Sequence, residues 1–261
     1  MNIRSLFLHL HWMLSAQFGL DLIKLVRSTM GLPRYLHHFY KFRSGYTGKL
    51  DLVPCLHDWY EEGGTTKNEY FWQDLFVARM IFANKPEKHV DIGSRVDGFV
   101  AHIASFREVE IFDIREITSI IPNITFRQAD LMRSMTEFNE YCDSLSCLHA
   151  LEHFGLGRYG DPINVDGYKQ GLKNLSELVK KGGIFYLSTP VGIEKVCFNA
   201  HRIFNPIEIK KLMSDSGLEL QKLSWFNVEN GITDSSDIDN DILRLSKLPY
   251  TLAIFTFRKL K

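Results

Sequence analysis

A chain of 261 residues, 45% hydrophobic and 24% charged, is long enough for one large globular domain with a substantial core. Its 31 Lys and Arg balance 31 Asp and Glu, so no overall field favours nucleic acid or an anionic membrane, although local basic patches remain open. Four cysteines, Cys55, Cys142, Cys147 and Cys197, form no C-x-x-C pair, which fits a reducing, cytoplasmic setting better than a secreted disulfide scaffold.

The first 65 residues read as a helical extension. The run SLFLHLHWMLSAQFGLDLIKLV is apolar, but His9, His11, Gln17 and Asp21 interrupt it, so neither a signal peptide nor a spanning helix is expected. A helix or two packed on the main domain is the plain reading, with peripheral membrane contact as the alternative.

From residue 66 to 261 the texture is a regular alternation. Thr66 and Glu69 form a capping-box pattern, and Phe71, Leu75, Ala78 and Phe82 recur at helical spacing until Asn84-Lys85-Pro86 stops the run. HVDIG reads as a strand, GFVAHIASF as a helix, and VEIFDI, ITFRQAD and CDSLSCL as three further strands. GLKNLSELVKKGG is an amphipathic helix ended by Gly182-Gly183, GIFYLSTP a buried strand, and NPIEIKKLMSDSG a helix ended by Gly217. LELQKLSWFNV and YTLAIFTFRKL are the last strands. Between them NGITDSSDIDNDILRLSK reads as exposed loop; its Asp237, Asp239 and Asp241 have the opening spacing of a calcium loop but lack the required glycine and distant glutamate. The alternation predicts an α/β fold with a doubly wound, mostly parallel sheet of seven strands, its binding sites at the strand ends.

In such a fold the first strand-to-helix turn, DIGSRVDG, approaches the ligand. A dinucleotide site wants G-x-G-x-x-G, whereas Arg95 occupies the middle position between Gly93 and Gly98. The pattern that fits is Asp91 two residues before the first glycine, with Asp113 ending the second strand. It resembles class I S-adenosylmethionine-dependent methyltransferases, from whose three alternating glycines Arg95 and Asp97 depart. Asp130 and Leu131 after the third strand, the passage DSLSCLHALEHF and the segment GGIFYLSTP are similar to the same enzymes.

HALEHF also matches H-x-x-E-H, a zinc-protease motif through His149, Glu152 and His153. That motif needs an unbroken helix, and here a buried strand precedes it while Gly155-Leu156-Gly157 follows too soon, so no metal is expected. The segments EHFGLGRYGDP, HVDIGSRVDGF, YFWQDLFVARMI and FNAHRIFNP together resemble a family of methyltransferase-like proteins catalogued as a domain of unknown function, over roughly residues 50 to 215.

The resemblance implies that S-adenosylmethionine, with S-adenosylhomocysteine as product, contacts Asp91, Gly93, Ser94, Asp113, Ile114, Asp130 and Leu131. Leu148 and His149 fall near the same ligand, under a helix carrying Tyr70 and Gln73. Transfer to a hydroxyl needs a base, and His153 and His201 are the first candidates, with Tyr159 and Asp161 behind them; Arg158 and Arg202 are candidates to grip a phosphate or carboxylate on the acceptor. The loop 153–161 and the pair His201-Arg202 should converge on one acceptor pocket, because they leave neighbouring strands. The expected function is O-methylation of a small molecule, saccharide or activated sugar, not nucleic acid. The alternatives are an inactive protein of the same fold that binds cofactor or nucleotide, and a zinc-dependent hydrolase.

Overall fold

The computed structural model describes residues 3–64 and 66–260, which fall into two compact units, Met1–Thr65 and Thr66–Lys261. In the first unit, α1 (Ile3–Phe18) is followed by α2 (Leu22–Arg43), whose N-cap Asp21 accepts a hydrogen bond from Lys24 N at 3.0 Å. The side chain of His9 lies outside the described residues. Gly31 lets the backbone at Leu56 lie against α2: a Cβ there would meet the Leu56 carbonyl oxygen at 2.2 Å. Arg34 secures the contact, donating to the same oxygen and stacking over the Trp59 ring at 4.4 Å.

The second unit opens with α3 (Glu69–Asn84). Its cap is Asn68, whose side chain accepts from Phe71 N at 3.0 Å, and not the Thr66/Glu69 box expected from the spacing. The Glu69 carboxylate is drawn instead to the Tyr250 hydroxyl, which donates to it. Lys85, in a left-handed conformation, closes the helix where Asn84-Lys85-Pro86 predicts a stop.

Strands β1 (His89–Ile92), β2 (Val109–Asp113), β3 (Ile124–Gln128), β4 (Cys142–Leu148) and β5 (Val179–Val191) pair in parallel in the order β3-β2-β1-β4-β5. The expected helix after β1 shrinks to α4 (Ala101–Ala104), because Val96–Val100 form a wide turn kinked at Gly98. The amphipathic α5 (Gly167–Leu178) also ends earlier than its Gly-Gly stop: Val179 is already extended and begins β5, so Val179 to Gly183 belong to the sheet. A hairpin of β6 (Lys195–Cys197) and β7 (His201–Ile203) then leads to α6 (Pro206–Asp215), capped by Asn205.

The remaining strands are antiparallel, and the sheet has eight strands rather than seven. After β8 (Leu218–Asn227), the segment expected as exposed loop folds into β9 (Gly231–Asp234) and α7 (Ile238–Leu245) before β10 (Thr251–Lys259). Ile242 and Leu245 supply α7 with a buried stripe that the surrounding Asp and Ser residues mask in the sequence. Asp237 caps this helix, accepting from Asn240 N, and Asp241 pairs with Arg244, which gives two of the supposed calcium ligands structural partners. The full order is β3-β2-β1-β4-β5-β10-β8-β9. One face packs Val77, Ile81, Phe99 and Ile103 from α3 and the β1–α4 segment against Ile111, Leu148 and Ile254; the other packs Leu172, Leu175, Ile209, Met213 and Ile242 against Val90, Leu145 and Phe255.

Candidate functional site

The carboxyl ends of β1 to β4 open into a cavity of about 460 Å³, within the range of small-molecule sites. At the end of β1, Asp91 is fully buried and does not line it. Its Oδ1 accepts from Ser146 Oγ (2.5 Å) and Ser94 Oγ (2.9 Å), and its Oδ2 from Ser94 N (3.1 Å). Burial, only partly offset by these donors, pushes its pKa up to about 7. Asp91 thus holds the turn that presents Gly93 and Ser94 to the cavity. Gly93 has φ +69°, and a Cβ there would stand 3.0 Å from Ala150 Cβ.

Asp113 and Ile114 reach the cavity from the end of β2. Asp113 accepts from Arg115 through both oxygens, Oδ1 from its backbone N (2.8 Å) and Nε (3.0 Å) and Oδ2 from Nη2 (2.6 Å), which leaves Oδ2 with a lone pair for a further donor. The guanidinium of Arg115 lies 4.4 Å from the centre of the Tyr159 ring. This clamp was not anticipated; an arginine two residues after a strand-ending acid is the signal that would have revealed it. Asp130 follows β3, where its Oδ1 accepts from Met132 N at 3.0 Å, and Leu131 beside it is buried against the cavity wall.

Tyr70, Gln73 and Asp74 of α3 form the opposite wall. Gln73 donates to Asp74 Oδ1 (2.9 Å) and accepts from Ser188 Oγ. Burial raises the pKa of Asp74. Leu148 ends β4, and His149 follows with φ +51°, its ring stacked on Tyr70 at 4.3 Å. His149 Nδ1 lies 2.7 Å from Glu152 Oε1, while Nε2 faces Glu69 at 3.4 Å without a hydrogen bond. Burial opposes charge on this imidazole, but Glu152 and Glu69 prevail and lift its pKa to about 9. Burial and the same two carboxylates push the Tyr70 phenol up to about 12.

The H-x-x-E-H residues therefore straddle a strand end and a single 3-10 turn, Leu151–His153, rather than one helical face, and Glu152 is engaged by His149. His153 is of a different kind. Its Nδ1 lies 2.7 Å from the Ala200 carbonyl, which can only accept, so the proton sits on Nδ1 and Nε2 keeps its lone pair, 3.9 Å from Glu152 Oε1. Burial holds its pKa below the ordinary histidine value.

Beyond His153 the loop is built around Asp161. Its carboxylate accepts from Gly155 N (2.8 Å), Gly157 N (3.1 Å) and Tyr159 N (3.2 Å). Arg158 Nη1 donates to Ala200 O at 2.8 Å, and its guanidinium lies 5.1 Å from the Tyr159 ring. Loop 153–161 and residues 200–202 do meet, but through backbone oxygens. Arg202 is buried, donating to Phe154 O (2.5 Å) and Val165 O (3.3 Å) beside the Tyr168 ring, and neither it nor His201 lines the cavity. His153, Arg158, Tyr159 and Asp161 do.

Residues 98–250 match the model of the family described as Caenorhabditis protein of unknown function, DUF268, a region that starts and ends later than the motif resemblance. No curated protein matches the chain by sequence. Among solved structures, the N-methyltransferase NodS from Bradyrhizobium japonicum is similar at 10% identity and TM-score 0.50, over 72% of this chain and 95% of that one. A candidate methyltransferase from Bacillus halodurans matches at 16% identity and TM-score 0.50, over 72% of this chain and 100% of its own. The Burkholderia thailandensis 1,6-didemethyltoxoflavin-N1-methyltransferase, solved with S-adenosylhomocysteine, matches at 14% identity and TM-score 0.47, over 72% and 78% of the two chains. At these identities the likeness is one of fold.

Proposed function

The chain belongs to the DUF268 family, and from that premise and the shared fold we propose that it is an S-adenosylmethionine-dependent methyltransferase acting on an anionic small molecule or saccharide. The observation that carries the reading is the cavity itself. A positive-φ glycine turn after β1 and carboxylates after β2 and β3 face one space at the strand ends, where open α/β sheets bind ligands. Gly93 and Ser94 would hold the amino-acid end of the cofactor, Asp113 the ribose hydroxyls, and Asp130 with Leu131 the adenine. Tyr70 and Gln73 would cover it.

When bound, this cofactor supplies a methyl group activated on a sulfonium. The chain's part is to position the acceptor and take its proton. Of the two candidate histidines, His153 is the better placed: it lines the cavity, and Nε2 is the nitrogen left free by the bond to Ala200. His153 would take the acceptor's hydroxyl proton on Nε2 as the methyl group is transferred, and the nearby Glu152 carboxylate would favour the imidazolium so formed. Arg158 makes no ion pair among the described residues and borders the cavity, which suits it to a phosphate or carboxylate on the acceptor. Arg202 and Asp161 are spent on the loop backbone and belong to its construction.

Calorimetric titration with S-adenosylmethionine tests the proposal. The wild-type protein should bind, and Asp113→Ala should lose about 1–3 kcal/mol of binding through the missing ribose hydrogen bonds. Absence of binding, or unchanged affinity in the variant, defeats the assignment.

A further inference from the structure

Independently of the cavity's chemistry, we infer that helices α1 and α2 lie flat on an anionic lipid surface. Among the described residues of the first unit only Gly31 is buried. The unit therefore leaves apolar side chains in water that a self-sufficient domain would cover. Leu6, Leu10, Trp12, Met13 and Phe18 are exposed on α1. On α2, Val26, Met30, Leu36 and Tyr40 recur at intervals of four or six residues, lie within one arc of the helix and are all exposed, Tyr40 to 69%.

Charge identifies what covers them. Residues 1–65 carry seven Lys and Arg against five acids, four of which, Asp51, Asp58, Glu61 and Glu62, follow α2 and leave the helices themselves basic. Within α2 itself five bases, Lys24, Arg27, Arg34, Lys41 and Arg43, occur with no acid at all. A second copy of the same helices would bring like charge against like charge. A bilayer carrying anionic headgroups offers the complementary sign together with an apolar interior for the exposed side chains. No helix among the described residues is long and apolar enough to cross a membrane, so the fitting geometry is in the plane of the interface, with Trp12 and Tyr40 at headgroup level and Lys24, Arg27 and Lys41 reaching the phosphates.

Co-sedimentation of the full chain with lipid vesicles tests this directly. The protein should pellet with vesicles of equal parts phosphatidylcholine and phosphatidylglycerol and stay in solution with phosphatidylcholine alone, and raised salt should release it. Lys24→Gln, Arg27→Gln and Lys41→Gln combined should weaken partition about a hundredfold, since each base near an anionic surface contributes about a fivefold factor. Val26→Ser, Met30→Ser and Leu36→Ser combined should abolish it at low salt as well. The lipid and salt dependence of the wild-type chain decides the matter even where a variant misfolds. Equal partition onto neutral vesicles, partition untouched by salt, or no partition at all overturns the inference. So does a stable dimer that the serine variant dissociates and that ignores vesicles.

Discussion

His153 and His149, four residues apart, are set to opposite tasks by their surroundings. His153 is buried beside a carbonyl that fixes its tautomer, and its pKa falls, so near neutrality it is an uncharged acceptor. His153→Ala should lower turnover by about a hundredfold or more while leaving calorimetric affinity for S-adenosylmethionine nearly intact. Loss of affinity in step with loss of melting temperature would show a structural histidine instead. His149 sits between two glutamates and is raised from 6.5 to about 9. A group whose folded pKa lies above its unfolded value binds more protons when folded across that window. Its contribution to stability is then fully present below pH 6.5 and is lost as the pH climbs through about 9. The melting temperature should decline over that interval, and His149→Gln should flatten the decline.

Arg202 gives a test at the level of elements. Its guanidinium ties the start of the 153–161 loop, at Phe154 O, to β7. Arg202→Ala should leave the part-buried Phe154 carbonyl without this donor, at about 1 kcal/mol of stability, and should raise KM for the acceptor with little change in cofactor affinity. An arginine that gripped the acceptor directly would instead leave the melting temperature unchanged. In α7, Asp237 and Asp241 are committed to a helix cap and to Arg244, so millimolar calcium should not move the melting temperature. The short elements also mark where the sequence ceases to be legible. Long helices and buried parallel strands announce themselves through spacing, as α3, β1, β2 and β4 do. A four-residue strand and an eight-residue helix among Asp, Ser and Asn give too few periodic positions to outweigh a composition typical of loops. The same limit applies inside the site. Residues at strand ends, such as Gly93, Asp113, Asp130 and His149, follow from topology. The Arg115 clamp carries a sequence signal in its two-residue offset from Asp113, but the burial of Arg202 depends on which way a side chain turns, which spacing does not encode.

At the scale of the molecule, the sheet joins a parallel half, β3-β2-β1-β4-β5, to an antiparallel half, β10-β8-β9, along the seam between β5 and β10. That seam has a consequence for the order of folding. Strand β10 comes after β5 and β8 in the chain yet lies between them, so residues 179–191 and 218–227 stay unpaired along these edges until residues 251–259 have left the ribosome. Leu252, Ile254, Phe255 and Phe257 of β10 are all buried, so the two halves also share core that is completed only at that moment. A chain released after Tyr250 would retain the entire cavity lining and still present two open strand edges, the usual template for aggregation. Nascent chains stalled at that length should be protease-sensitive and captured by chaperones, and extension by the final strand should convert them cooperatively to a resistant state.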